Sequence, residues 1–176
     1  MRLFIAIDFN ELKDYFVYLQ NLLPKNAKLS LTKTFHITLK FLGDVQPDKA
    51  EKIVEILKKI RFEAFSVFLD SIGIFPTENY IRVVWVGLNP EEKILELQNK
   101  IDDALNPLFK KEKGFKAHIT LARVKYPEDK KMFVEQVKKI KVENKKIEIK
   151  YFKLIKSTLN PKGSVYEELG IFNSNQ

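Results

Sequence analysis

The sequence predicts an α+β fold made of two similar lobes, each a sheet with helices packed on one side. Three observations carry this. Apolar alternation at period two and apolar stripes at helical spacing succeed one another along the chain. The order strand–helix–strand–helix–strand of the first half roughly recurs in the second. One tetrapeptide, His-Ile-Thr-Leu, occurs at 36–39 and again at 118–121, in a chain that has only two histidines.

Leu3-Phe4-Ile5-Ala6-Ile7 has the apolar character of a buried strand. Leu12, Phe16, Leu19 and Leu23 then mark one face of a helix. After Pro24 the chain turns extended, and Phe35 to Leu42 reads as a strand ended by Gly43-Asp44. Pro47 opens a helix, where a first-turn proline loses no hydrogen bond, and Ala50, Ile53, Val54, Leu57 and Ile60 line its apolar face. Strands are expected over Phe65 to Ile74 and Tyr80 to Gly87. A helix from Asn89-Pro90-Glu91 turns Ile94, Leu97, Ile101 and Leu105 inward. Ala117 to Val124 reads as a strand, and Glu128 to Ile140 as a helix with Met132, Phe133, Val137 and Ile140 as its stripe. "IEIKYFKLIKSTLN" and "GSVYEELGIF" read as one long hairpin.

A length of 176 residues with 45% hydrophobic content suits one bilobal domain spanning 1–176. The absence of cysteine excludes disulfides, thiolate nucleophiles and cysteine metal sites, and fits a reducing compartment. The apolar opening is too short for a signal peptide, and Asp8 interrupts it. No stretch approaches the ~20 apolar residues of a membrane span. The expectation is a cytoplasmic protein without membrane contact. Thirty-one Lys plus Arg against 23 Asp plus Glu give a net charge of +8, which favours polyanionic partners, RNA or DNA first. Only four of these residues are arginine, and lysines on amphipathic segments such as "EKIVEILKKI" account for most of the charge as a solvated face. Neither a G-x-x-x-x-G-K loop nor a G-x-G-x-x-G turn is present.

The repeated tetrapeptide carries the chemistry. On a strand His36 and Thr38 share one face while Ile37 and Leu39 share the other, and His118 and Thr120 stand in the same relation. Each copy therefore offers an imidazole and a hydroxyl about 7 Å apart. A single strand histidine is usually a packed residue, but packing does not require the same polar face twice. Two imidazoles can divide general acid and general base work, and threonine hydroxyls can donate to phosphate oxygens. In-line displacement at phosphorus places the attacking and leaving oxygens on opposite sides, which two copies related by a pseudo-two-fold axis would match. A metal site is the rival use of histidine, but it normally needs three or more protein ligands, and no third histidine or cysteine exists.

With these residues the chain resembles the 2H phosphoesterase superfamily, named for two H-x-T-x motifs, and within it the RNA 2′,3′-cyclic phosphodiesterase (2′-5′ RNA ligase) family. "MRLFIAID", "FHITLKFLGDV", "IGIFP", "RVVWVGL", "HITLARV" and "STLNPKGSVYEEL" match that family's segments nearly end to end. The resemblance implies two lobes, each an antiparallel sheet with helices on its outer face, around a central cleft carrying both motifs. It implies metal- and cofactor-free hydrolysis of RNA 2′,3′-cyclic phosphate ends to 2′-phosphomonoesters, and the family is also credited with 2′-5′ RNA ligation. His36 corresponds to the proton donor, His118 to the acceptor that activates water, and Thr38 and Thr120 to the phosphate ligands. Arg123 matches an arginine often found there, yet strand parity puts it on the face opposite His118, so that role requires a bulge or a strand end. Lys40 shares parity with His36, with a solvated lysine as its plainer reading. The expected partner is RNA bearing a 2′,3′-cyclic phosphate end, with the chain a monomer that needs no protein partner. Two alternatives stand beside this reading: a non-catalytic module that binds RNA ends, and a phosphodiesterase for a small cyclic or 2′-5′ nucleotide.

Overall fold

The structure, a computed structural model, describes residues 1–175. The strands are β1 (Arg2–Asp8), β2 (Ala27–Leu31), β3 (His36–Asp44), β4 (Phe65–Thr77), β5 (Tyr80–Asn89), β6 (Ile119–Pro127), β7 (Lys146–Ile149), β8 (Tyr151–Asn160) and β9 (Gly163–Asn173). The helices are α1 (Lys13–Asn21), α2 (Pro47–Leu57), α3 (Glu91–Leu105) and α4 (Lys130–Lys138), with a 3-10 turn at Asn10–Leu12. The strands form two antiparallel sheets, ordered β3-β1-β8-β9 and β2-β6-β5-β4-β7. This is the α+β, two-lobed architecture expected from the sequence.

Local chemistry accounts for the elements. β1 is buried from Leu3 to Ile7 because both of its faces are covered: Leu3, Ile5 and Ile7 join the main core, and Phe4 and Ala6 pack with Ile155 on the other face. α2 begins at Pro47, and α3 buries Ile94, Leu97, Ile101 and Leu105 at helical spacing. α4 is capped by the Asp129 carboxylate, which accepts from the Met132 N–H. Burying an apolar helix side chain of this kind contributes roughly 1.5–3 kcal/mol, and the main core draws such residues from both sheets and from α1, α2 and α3. A smaller cluster joins Phe133, Val134 and Val137 of α4 to Leu23 and to Val84, Ala122 and Val124 of the second sheet.

The lobes are not the two halves of the chain. β2, β4 and β5, all from the first half, belong to the second sheet, and the C-terminal pair β8–β9 completes the first. The tail also departs from the single hairpin expected. β7 pairs with β4 in the second sheet, Phe65 facing Ile149, and the chain crosses at Lys150 to the first sheet. The hairpin is β8–β9 alone, turned at Gly163, whose φ of 120° favours glycine. β2 read only as extended chain because it is short and mostly exposed; its pairing with β6 makes it a strand.

Candidate active site

Both motifs line one cleft of about 930 Å³ between the sheets. The structure brings His36, Thr38, His118, Thr120 and Arg123 together there, so every site residue read from the sequence borders the same space. Among the described residues no group of three or more His, Cys, Asp or Glu side chains is placed to hold a metal ion.

Two β-bulges shape this cleft. In β6, Trp85 faces Thr120 and Val84 faces Ala122, so Leu121 is the extra residue. Leu121 and Ala122 are both buried, and the alternation resumes with Arg123 facing Val83, on the same side as Trp85 and Thr120. The bulge that an Arg123 role required is present. β3 carries the counterpart: Ala6 faces Thr38 and Ile5 faces Lys40, so Leu39 is the extra residue. The same flip turns the Lys40 side chain inward at the border of the cleft, against the reading as a solvated lysine. Lys40 is 2% exposed, ion-paired with Asp102 of α3, and donates to the Lys110 carbonyl at 2.7 Å. Phe41 takes the position in β3 that Arg123 takes in β6, and it is 64% exposed.

The surroundings break the symmetry of the motifs. His36 sits among aromatic rings of the first sheet, 5.3 Å from Phe4 and 5.7 Å edge-on from Tyr166. Burial pushes its imidazole down to about 4, opposed by the Asp8 carboxylate and reinforced by His118. Asp8 faces His36 across β1–β3 and is held by Lys153 at 2.6 Å, which also reaches Glu168 at 2.8 Å. Burial works against the Lys153 ammonium, but hydrogen bonds to Asp8 and Glu168 outweigh it and push its pKa above the ordinary lysine range.

His118 is held differently. Its Nδ1 lies 2.8 Å from the Lys116 carbonyl. A carbonyl only accepts, so Nδ1 carries the proton and a neutral ring keeps its lone pair on Nε2. Phe75 meets the ring edge-on at 4.9 Å, and Trp85 stands at 6.2 Å. Trp85 covers Gly73, where any Cβ would overlap the indole. Upstream of the ring, Glu91 at the start of α3 accepts from the Ala117 N–H at 3.0 Å and from Lys116 Nζ at 2.9 Å. Burial opposes the charge on Glu91, but these hydrogen bonds outweigh it and hold its pKa below the usual value.

Sequence reasoning missed Phe41, Phe75 and Tyr166 as cleft residues, because aromatics on strands look like ordinary β-formers. Asp8 left a signal, a charge closing an otherwise apolar strand, but its partner His36 is distant in sequence.

A family model described as LigT like Phosphoesterase matches residues 9–85 and again 86–166. A Methanocaldococcus jannaschii protein named RNA 2′,3′-cyclic phosphodiesterase is 39% identical over 95% of this chain and 97% of its own. A protein of the same name from Archaeoglobus fulgidus is 34% identical over 98% of this chain and 99% of its own. Among solved structures, that of a Thermus thermophilus protein, TT0787, superposes with a TM-score of 0.80 at 27% identity, covering 98% of this chain and 97% of that one. With two copies of the family model covering most of its length, the chain belongs to the LigT-like phosphoesterase family.

Proposed function

We propose that the chain hydrolyses RNA 2′,3′-cyclic phosphate ends to 2′-phosphomonoesters, with His118 as general base and His36 as general acid. The observation that carries this reading is the pair of histidines lining one cleft from opposite sheets in unlike settings, His118 with Nε2 free and His36 within an aromatic wall. The relatives named RNA 2′,3′-cyclic phosphodiesterase supply the substrate class.

In the proposed reaction His118 Nε2 takes a proton from water as its oxygen attacks phosphorus. The P–O3′ bond breaks on the opposite side, and His36 gives its proton to the departing O3′. Thr38, Thr120 and Arg123 hold the phosphate oxygens, with Arg123 the cation for the charge that gathers on them. Phe41 and Tyr166, both exposed and backed by the buried Phe4, offer the terminal base a stacking surface beside His36, which sets the ribose oxygen on the side of the acid. In the free protein His36 is neutral at pH 7, since it titrates at about 4. A bound phosphate anion favours the imidazolium, so the acid is armed by substrate. This reading needs no membrane, cofactor or protein partner, and places a single 176-residue domain in the cytoplasm as a monomer.

The test is turnover of an RNA oligonucleotide ending in a 2′,3′-cyclic phosphate, beside a mononucleotide 2′,3′-cyclic phosphate. Wild type should leave 2′-phosphate and prefer the oligonucleotide in kcat/KM. His36→Ala and His118→Ala should each lose about 10²–10⁴-fold, and the double variant less than the product of the two losses. Near-normal rates in both single variants would refute the assignment, and binding of ends without turnover would leave a recognition module.

A further inference from the structure

Among the described residues, the buried polar and charged side chains are Gln20, Lys40, Gln98 and Asp102. A buried polar group is costly unless its hydrogen bonds are made. All four are spent on the two motif strands and the segments beside them. Gln20 Nε2 donates to the Leu121 carbonyl and to the Thr32 carbonyl, each at 2.8 Å. Gln98 Nε2 reaches the Leu39 carbonyl at 3.4 Å, and Asp102 holds Lys40 one residue further along β3. Leu121 and Leu39 are the extra residues of the two bulges.

We propose that Gln20 is a positioning residue that acts through Arg123, by clamping the bulge that turns Arg123 into the cleft. A bulge leaves one residue outside the regular ladder and is held only where its backbone groups find other partners. The Leu121 carbonyl is buried with its side chain, and it accepts from Gln20 and from the Thr32 N–H at 3.0 Å. Gln20 also ties that bulge to Thr32, which follows the last residue of β2, so the edge strand and the bulge are fixed by one amide. Without the amide donor, regular alternation from Thr120 would bring Ala122 to the cleft and turn Arg123 to the opposite face. The sequence distance between Gln20 and Leu121, 101 residues, explains why nothing local points to the link.

The inference rests on the phosphate role proposed for Arg123, and a double-mutant cycle tests it. Gln20→Met keeps the volume and removes both donors, and Gln20→Asn keeps an amide too short to span the two carbonyls. With a nucleoside 2′,3′-cyclic monophosphate as substrate, Arg123→Ala should lower kcat/KM by about 10- to 100-fold, the factor matching one lost hydrogen bond to a charged group. Gln20→Met should lower it comparably, and Gln20→Met with Arg123→Ala should be no worse than Arg123→Ala alone. The same pattern should appear in affinity for a nucleoside 2′-monophosphate, read from the two histidine ring signals by NMR. If wild type binds this ligand but turns nothing over, the proposed activity fails while the cycle still reads the clamp. Losses that multiply in the double variant would overturn the proposal. So would cooperatively melting Gln20→Met and Gln20→Asn proteins with wild-type constants, or the failure of both to fold.

Discussion

Replacing His36 with asparagine should make the protein more resistant to acid even as it removes activity. In the unfolded chain a histidine titrates near 6.5, whereas in the fold burial pushes His36 down to about 4. Between those values the unfolded state binds more protons, so stability falls as pH drops through that window. Above 6.5 both states hold a neutral ring and His36 contributes no pH dependence; below about 4 both are protonated and the loss is complete. At 1.36 kcal/mol per pH unit, the gap from 6.5 to about 4 corresponds to about 3 kcal/mol. That is a large part of the 5–15 kcal/mol typical of a domain. Urea unfolding of wild type and His36→Asn at about pH 7.5 and again near pH 4 reads it, since the carboxylates common to both proteins cancel in the difference. Wild type should lose about 3 kcal/mol more than the variant over this range. Inorganic phosphate should narrow the gap, because an anion in the cleft favours the imidazolium. Parallel pH dependence in the two proteins would refute the depressed pKa, and with it the substrate-armed acid.

Lys40→Met strands the Asp102 carboxylate in the core and should cost about 3–5 kcal/mol in urea unfolding, whereas Lys40→Met with Asp102→Leu should regain part of it. An undiminished Lys40→Met protein would mean that the pair is solvated. Gly73→Ala forces the Trp85 indole to move from beside His118 and should lose about 1–3 kcal/mol of stability together with activity. Unchanged tryptophan fluorescence and turnover in that variant would contradict the packing. Affinity for RNA ends should fall with salt at a log–log slope of about −1.4 to −2.8, equivalent to two to four single-strand phosphate contacts. A slope near zero would favour a mononucleotide substrate, and a much steeper one a broad RNA-binding face.

The sequence by itself determined all four helices, every strand but β2 and the β7–β8 break, the apolar faces and the two motifs, because each is a short-range pattern. Period two and period 3.6 are written in neighbouring residues, and the repeated His-Ile-Thr-Leu needs no partner to be seen. Pairing was another matter. That β7 leaves the tail to join β4, while β8 and β9 complete the first sheet, depends on which edges were open once the core had formed. The faces of Lys40 and Arg123 depended on pairing too, since the extra residues Leu39 and Leu121 each reverse the alternation just beyond the motif. Parity put Arg123 on the face opposite His118, and the bulge turned it to the cleft; Lys40, whose plainer reading was a solvated lysine, is buried against Asp102 instead. Symmetry was likewise decided in three dimensions. Two identical tetrapeptides became unlike sites because Phe4, Tyr166 and Asp8 surround one imidazole, while the Lys116 carbonyl, Phe75 and Trp85 hold the other. A pKa and a tautomer belong to an environment, and that environment is assembled from strands far apart in the chain.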